Sequence, residues 1–336
     1  AGIPLARLQR RLAESGQFLA LDPPYAGRAT LGGTLATNVS GPSRLLYGTA
    51  RDLVLGLRVA TPAGDVVKSG GKVVKNVVGY DLNKMHIGGL GTLGVMVEVT
   101  LKVHPLPQVE ATVAATFETL GAAQAAAGRL FRSVLYPRAV ELVRAPLPDL
   151  PGPSGRPDAW RVLMWAAGSP ATVERQGRDA MAWCQEDGAV ATSRLDGAEH
   201  AAAWSAVREF GRSLPQGAAL AKLTCLPTQI ATLAEMIDQA ATEAGASAAD
   251  LQLMAHAGNG VLYVALPAVT VDLLHRLWGA TTELGGSMVV EHAPAAIQQA
   301  IDVWGPTRND FPLMQALKAQ FDPQGTLNPG RFVGGI

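Results

Sequence analysis

The stretch MAHAGNGVLYV, residues 254–264, sets an imidazole, His256, ahead of small residues around Asn259 and then an aromatic, Tyr263, seven positions on. An imidazole so placed can belong to a divalent-cation site, to the remnant of one, or to an ordinary turn between two strands. Further along, Glu291 and His292 offer a carboxylate and a second imidazole. Two glycine-rich stretches suit different chemistry, ATLGGTLATNVSGPSRLLYGTARDLVLG at 29–56 and KNVVGYDLNKMHIGGLGTLGVMVEVTLKVHP at 75–105. Positions without side chains let backbone N–H groups approach a large anionic ligand, while neighbouring Thr, Asn and Ser side chains bond to it. Neither stretch is a GxGxxG finger on a βαβ unit or a P-loop, so Rossmann and P-loop chemistry are unsupported. Cys184 and Cys225 lie far apart without CxxC spacing. That argues against an iron–sulfur centre in this chain and fits two core thiols in a reducing compartment.

The elements that must hold these residues are of two kinds. Over 1–108, DLVLGLRVATPAG, DVVKSGGKVV and LGVMVEVTLKVHPLP read as strands joined by turns, closed by Pro105 and Pro107. From 109 the period changes: EATVAATF strand, TLGAAQAAAGRLFRS helix, PRAVELV and WRVLMWAAG strands, PATVERQGRDAMAWCQEDG helix, AVATS strand. The same order returns over 217–292: GAALAKLTCL, PTQIATLAEMIDQAATEAG, LQLMAHA, GVLYVALP, AVTVDLLHRLWGATTELGG, SMVVEH. Pro227 opens its helix where a missing N–H costs nothing, and Gly245 and Gly285 fall just past helix ends. Two ferredoxin-like β-α-β-β-α-β halves are the simplest reading. GAEHAAAWSAVREFGRSL (197–214) connects them as a helix, and APLPDLPGPSGRPD (145–158) is a surface loop. MAHAGNGVLYV is then a hairpin in which His256 ends one strand and Tyr263 lies in its partner, while Glu291 and His292 end the last strand. The tail, 312–332, reads as a helix and a Pro/Gly-punctuated segment that returns to an earlier domain.

With 336 residues, 48% of them hydrophobic, the chain is long enough for two globular domains and is not disordered. Its 28 basic and 28 acidic residues cancel, which leaves no surplus charge to draw nucleic acid or an anionic membrane. Six scattered Trp make no stacking platform for bases. No apolar run approaches the roughly 18 residues of a membrane span. The expected location is cytoplasmic, or peripheral at the inner membrane through a complex.

Gly32-Gly33, Thr37-Asn38, Gly41, Tyr47-Gly48, Arg51-Asp52 and Val54-Leu55-Gly56 in that order, followed by KNVVGYDL and GTLGVMVEVTLKVHP, resemble FAD-binding domains of the vanillyl-alcohol oxidase, or PCMH, type. These are the FAD-linked oxidases that act as 2-hydroxyacid dehydrogenases. FDPQGTLNPGRF (321–332) resembles the family's C-terminal FDPxxxLNPG signature. The pieces AGIPLARLQRRLAESGQFLALDPP, GPSR, GGKVVKNVVGYDL and LNPGR are most similar to the FAD-binding subunits of bacterial glycolate oxidases. The resemblance implies an α+β fold: the second lobe of a PCMH-type FAD-binding domain over 1–108, a substrate or cap domain over 109–292, and a C-terminal return over 293–336. The family's smaller N-terminal lobe ends about where this chain opens.

It also implies non-covalent FAD. Gly32, Gly33, Thr37, Asn38 and Gly41 would line the flavin and its diphosphate. Gly91, Thr92, Leu93, Gly94 and Val95 would cradle the adenosine half. Pro23 and Thr30 lie in the segment running to the flavin, and Asn328 would approach the isoalloxazine from the C-terminal return. Gly89 and Leu90 stand where the family often has Ser and Glu. Lys75, Asn76, Tyr80 and Asp81 resemble the family's segment near the flavin, with Tyr80 read as a packed aromatic. Arg331 reads equally as substrate clamp, phosphate partner or surface cation.

Catalytic members of the family carry HxGxGNxH and then EHG: two imidazoles and a carboxylate hold a divalent cation against the substrate's carboxylate and hydroxyl, and the second His takes the hydroxyl proton. Here His256 matches the first imidazole, Tyr263 stands for the second, Glu291 and His292 match the Glu-His pair, and Ala293-Pro294 replace the glycine turn. A neutral phenol is a poor metal ligand. The resemblance thus implies no assembled metal site, with His256 and Glu291 as its degenerate candidates and His292 as candidate catalytic base. The expected role is the FAD-binding subunit of a complex that oxidises glycolate to glyoxylate, partnered by a sister FAD subunit and an iron–sulfur subunit. The alternatives are an autonomous FAD-dependent D-2-hydroxyacid dehydrogenase and a non-catalytic scaffold.

Overall fold

Leu5, Leu8 and Leu12 recur at helical spacing in LARLQRRLA and turn one face inward as α1 (Leu5–Ala13). The computed structural model describes residues 1–73, 80–144 and 159–336, so the loop read at 145–158 and Lys75 and Asn76 lie outside the described residues. The chain divides into two units, residues 1–106 with 306–336, and residues 107–305.

In the first unit, β1 (Gln17–Phe18) pairs with β5 (His104–Pro105). Between them come α2 (Leu31–Thr37), α3 (Arg44–Tyr47), α4 (Ala50–Leu53), β2 (Val54–Ala60), β3 (Val66–Gly70), α5 (Asn83–His86) and β4 (Val95–Leu101). The sheet β3-β2-β4 is antiparallel. The run read as a strand from residue 52 starts later, at Val54, because Thr49 and Asp52 form a capping box that winds α4 first: Thr49 N–H donates to Asp52 at 2.7 Å. The first glycine-rich stretch is also helical. Thr30 Oγ1 accepts from Gly33 N–H to cap α2, and Leu31 and Leu35 anchor it in a core with Leu5, Leu19, Leu53 and Leu57.

The second unit contains β6 (Val109–Phe117), α6 (Leu120–Phe131), β7 (Ala139–Arg144), β8 (Trp160–Gly168), α7 (Pro170–Glu186) and β9 (Ala191–Asp196). After α8 (Gly197–Arg208) the pattern repeats with β10 (Ala219–Thr224), α9 (Ile230–Glu243), β11 (Gln252–His256), β12 (Val261–Leu266), α10 (Val271–Glu283) and β13 (Ser287–His292). The eight strands form one antiparallel sheet in the order β13-β10-β12-β11-β7-β8-β6-β9. Each half has the ferredoxin-like order, and the halves join where the second strand of each, β7 and β11, pair edge to edge in the register Glu141↔His256. α8 covers the sheet face that carries Val143, Leu163, Trp165, Met254 and Tyr263. A polar knot fixes it there: Thr112 Oγ1 accepts from Trp204 Nε1 at 2.8 Å and shares a hydrogen bond with His200 Nδ1, also at 2.8 Å. Residues 293–305, with α11 (Ala295–Ala300), stay with this unit, since Val290 N–H donates to Val303 and Gly305 lies against Trp278. The first unit resumes beyond residue 305 with α12 (Phe311–Phe321).

Candidate functional site

In the first unit the two glycine-rich stretches differ in what their amides do. The N–H of Leu31 donates to Ile3, that of Gly32 to Ala1 and that of Gly33 to Thr30, so the amides expected to be bare at 32 and 33 are committed within the protein. Thr37 lies exposed with its hydroxyl on Gly33 O. Pro23 is buried, and Thr30 is the cap of α2. Asn38 ends the helix in the left-handed conformation, φ 49°. Gly41 is a packing requirement: a Cβ there would lie 1.9 Å from Asp22 O, while the Asp22 carboxylate accepts from Ser43 N–H.

At the second stretch the backbone turns through Leu90 (φ 49°) and Gly91 (φ 72°). Leu90 N–H donates to Ala36 and Thr92 N–H to Gly89, whereas among the described residues no backbone carbonyl meets the N–H groups of Gly91, Leu93 and Gly94. Thr92 is buried with its hydroxyl on Gly89 O at 2.7 Å; Gly94 is buried against Val59 and His86, and Val95 is exposed. The Asn38 side chain lies beside Gly88, which tethers the two stretches. Among the described residues the buried Asn38 Oδ1, Ser40 Oγ and Asn83 Oδ1 have no hydrogen-bond partner. Open amides and orphaned buried polar atoms in one unit fit a large ligand with an anionic portion, because such atoms are costly to leave unmet. Asn328, in the left-handed region at φ 44°, does not present a free amide group: its Nδ2 donates to Leu90 O. Tyr80 is 93% exposed rather than packed, and Arg331 is exposed.

In the second unit the chemically capable side chains stand in a row across the α8 face. His256 Nδ1 lies 2.8 and 2.7 Å from the two Glu141 oxygens, with side chains 5% and 1% exposed. Tyr263 meets the His256 ring edge-on at 5.8 Å. The Arg212 guanidinium sits 5.9 Å from the Tyr263 ring centre and pairs with Glu291 at 2.7 Å. His292 is exposed at the end of β13. Hence His256 and Glu291 are not brought together as ligands. Glu291 is neutralised by Arg212, while His256 holds Glu141 through Nδ1 alone. Among the described residues no group of three His, Cys, Asp or Glu side chains could hold a metal ion. Glu141 and Arg212 were invisible to motif reading because strand pairing over 115 residues in one case, and a turn after a helix in the other, brings them in.

Residues 1–70 match the family FAD binding domain, and residues 106–332 match FAD linked oxidases, C-terminal domain. The glycolate oxidase subunit GlcD of Bacillus subtilis is 28% identical over 352 residues, covering 98% of this chain and 74% of that protein. The glycolate oxidase subunit GlcE of Escherichia coli is 44% identical over 108 residues, covering 32% of this chain and 31% of that protein. Among solved structures, an alkyldihydroxyacetonephosphate synthase has the same fold, with a TM-score of 0.70 at 19% identity over 97% of this chain and 62% of that chain.

Proposed function

The chain belongs to the FAD-linked oxidase family, with FAD as its cofactor, and from that premise we propose that it is the FAD-binding subunit of a glycolate oxidase complex. It would act with a sister FAD subunit and an iron–sulfur subunit to convert glycolate to glyoxylate. When bound, FAD supplies a two-electron acceptor for the hydride on the α-carbon of a 2-hydroxy acid. The Gly91 and Leu93 amides would meet the anionic half of the cofactor, and Asn38 and Ser40 would find in it the partners they lack. Gly32, Gly33, Thr37, Gly41, Thr92, Gly94 and Val95 would shape the walls, with Pro23 and Thr30 in the approach.

One observation carries the division of labour between subunits. Oxidising a hydroxy acid needs a base and a cation that lowers the hydroxyl pKa. Here Glu291 is held by Arg212, and among the described residues no group of three His, Cys, Asp or Glu side chains could take a metal ion. That supports a chain that holds FAD and relays electrons, while the sister subunit removes the hydroxyl proton. Similarity to GlcE over about a third of the chain, and the absence of clustered cysteines, support the same reading. Among the described residues no helix is long and apolar enough to cross a membrane, so attachment to the inner membrane would come through the complex. A second reading is an autonomous dehydrogenase with His292, exposed at the end of β13, as base.

Anaerobic mixing with glycolate or D-lactate separates the two. In the isolated full-length protein the visible flavin band should persist, and it should bleach once the sister and iron–sulfur subunits are present. Bleaching of the isolated protein, abolished by His292→Ala, would overturn the subunit reading in favour of the autonomous one.

A further inference from the structure

The C-terminal helix α12 carries a buried ion pair that the cofactor reading does not use. Asp322 is fully buried and accepts from Lys318 Nζ at 2.6 Å, Thr326 N–H at 3.1 Å, Thr326 Oγ1 at 2.9 Å and Leu327 N–H at 2.8 Å. Burial alone would raise the Asp322 pKa, but the Lys318 ammonium and the Leu327 and Thr326 donors outweigh it and hold the carboxyl well below the ordinary range. Lys318 gives its two remaining hydrogens to Leu327 O and Thr92 O, both at 2.9 Å. The ammonium is therefore saturated. Asn328, six residues beyond Asp322, gives its amide hydrogen to Leu90 O.

The two carbonyls so gripped flank Gly91. A trans peptide is planar, so the C=O of one residue and the N–H of the next point in opposite directions. Holding Leu90 O toward the C-terminal segment turns the Gly91 N–H away from it. Holding Thr92 O there does the same for the Leu93 N–H. With Gly94, those are the amides of this loop that no backbone carbonyl of the described residues meets. We propose that Lys318, seated by Asp322, and Asn328 are positioning residues that aim the Gly91 and Leu93 amides at the anionic, adenosine-diphosphate half of the cofactor. This rests on the assignment of FAD to the 91–95 loop, and it gives the C-terminal return a part in cofactor binding without direct contact.

The test is titration of FAD into the flavin-stripped full-length protein, with ADP as competitor and thermal unfolding followed in parallel. Lys318→Met should raise the FAD Kd and the ADP inhibition constant by the same factor. That factor is about tenfold if the freed loop is in the binding geometry one time in ten. Lys318→Arg, which can still bond both Asp322 and Thr92 O, should restore most of the affinity. Asn328→Leu, at an exposed position, frees the Leu90 carbonyl without disturbing the buried pair and should also weaken both ligands; it serves if Lys318→Met does not fold. A lowered melting temperature with FAD Kd and ADP competition unchanged in these variants would mark the clamp as purely structural and overturn the proposal. Gly91→Trp keeps the two failures apart. If it abolishes flavin binding while the clamp variants bind normally, only the positioning role falls; if it retains flavin, the loop assignment beneath it falls too.

Discussion

Replacing His256 with alanine should cost the second unit about 3–5 kcal/mol. His256 Nδ1 serves both Glu141 oxygens within 2.8 Å, and the carboxylate is 1% exposed. Without the imidazole, water cannot reach the carboxylate to replace the lost donor, and breaking a buried pair from one side costs about 3–5 kcal/mol. For a domain of this size each kcal/mol lowers the melting temperature by about 2–4 °C, so a fall of about 6–20 °C is expected. Trp165 and Trp204, stacked at 4.6 Å under α8, provide the fluorescence signal for urea and thermal unfolding of this unit. Replacing both partners, His256→Leu with Glu141→Leu, should recover much of the loss, because a well-packed apolar pair avoids the desolvation term. Added zinc or manganese should leave the wild-type midpoint where it is. A loss below about 1 kcal/mol, or zinc stabilisation of the wild type that vanishes in His256→Ala, would refute the reasoning: the imidazole would then be available to a metal.

Gly41→Ala drives a Cβ to 1.9 Å from Asp22 O, where neither backbone can yield, and should destabilise the first unit by at least about 2 kcal/mol and reduce flavin per chain; wild-type flavin content and urea midpoint would contradict the packing argument. Burial pushes the Cys184 thiol up to about 12 and Cys225 to about 11, so at pH 8 Ellman's reagent should find no reactive thiol in the native protein and two after denaturation. Burial lowers the His200 pKa below 6.5, so the unfolded chain takes up the proton first. Stability from this residue is complete above about pH 6.5 and drains away as pH falls below it, and His200→Gln should flatten the urea midpoint between pH 7 and 5. An equally steep profile in the variant would exclude His200 as a source of that slope.

The second unit was largely legible because its signal is local. The short apolar runs in VLYVAL and SMVVEH, helical spacing in IATLAEMIDQA, and Pro227, Gly245 and Gly285 at helix ends each specify an element within a dozen residues, and the repeated order then limits the sheet to few arrangements. What no local pattern contains is the β7·β11 pairing, which sets Glu141 opposite His256. The helix α2 was missed for the opposite reason: glycines at 32 and 33 disfavour a helix by about 1 kcal/mol each, and it forms through tertiary anchoring of Leu31 and Leu35 and capping by Thr30.

The same distinction explains why two glycine-rich stretches of similar composition end with different amides. A glycine leaves room for a ligand to approach, but whether its N–H is free depends on whether a carbonyl from elsewhere arrives first. At Gly32 the carbonyl of Ala1 does so, at 2.8 Å. At Gly91 none among the described residues does, and the neighbouring carbonyls are themselves drawn away by Asn328 and Lys318, more than 220 residues later in the chain. The one part of this that was readable is the pair itself: a lysine four residues before an aspartate on a helix, followed by Pro, Gly and Asn, is the spacing of an i,i+4 ion pair at a helix end. Its consequence for a distant loop follows only from the planarity of two peptide bonds, which turns a contact made on one side of the loop into donors presented on the other.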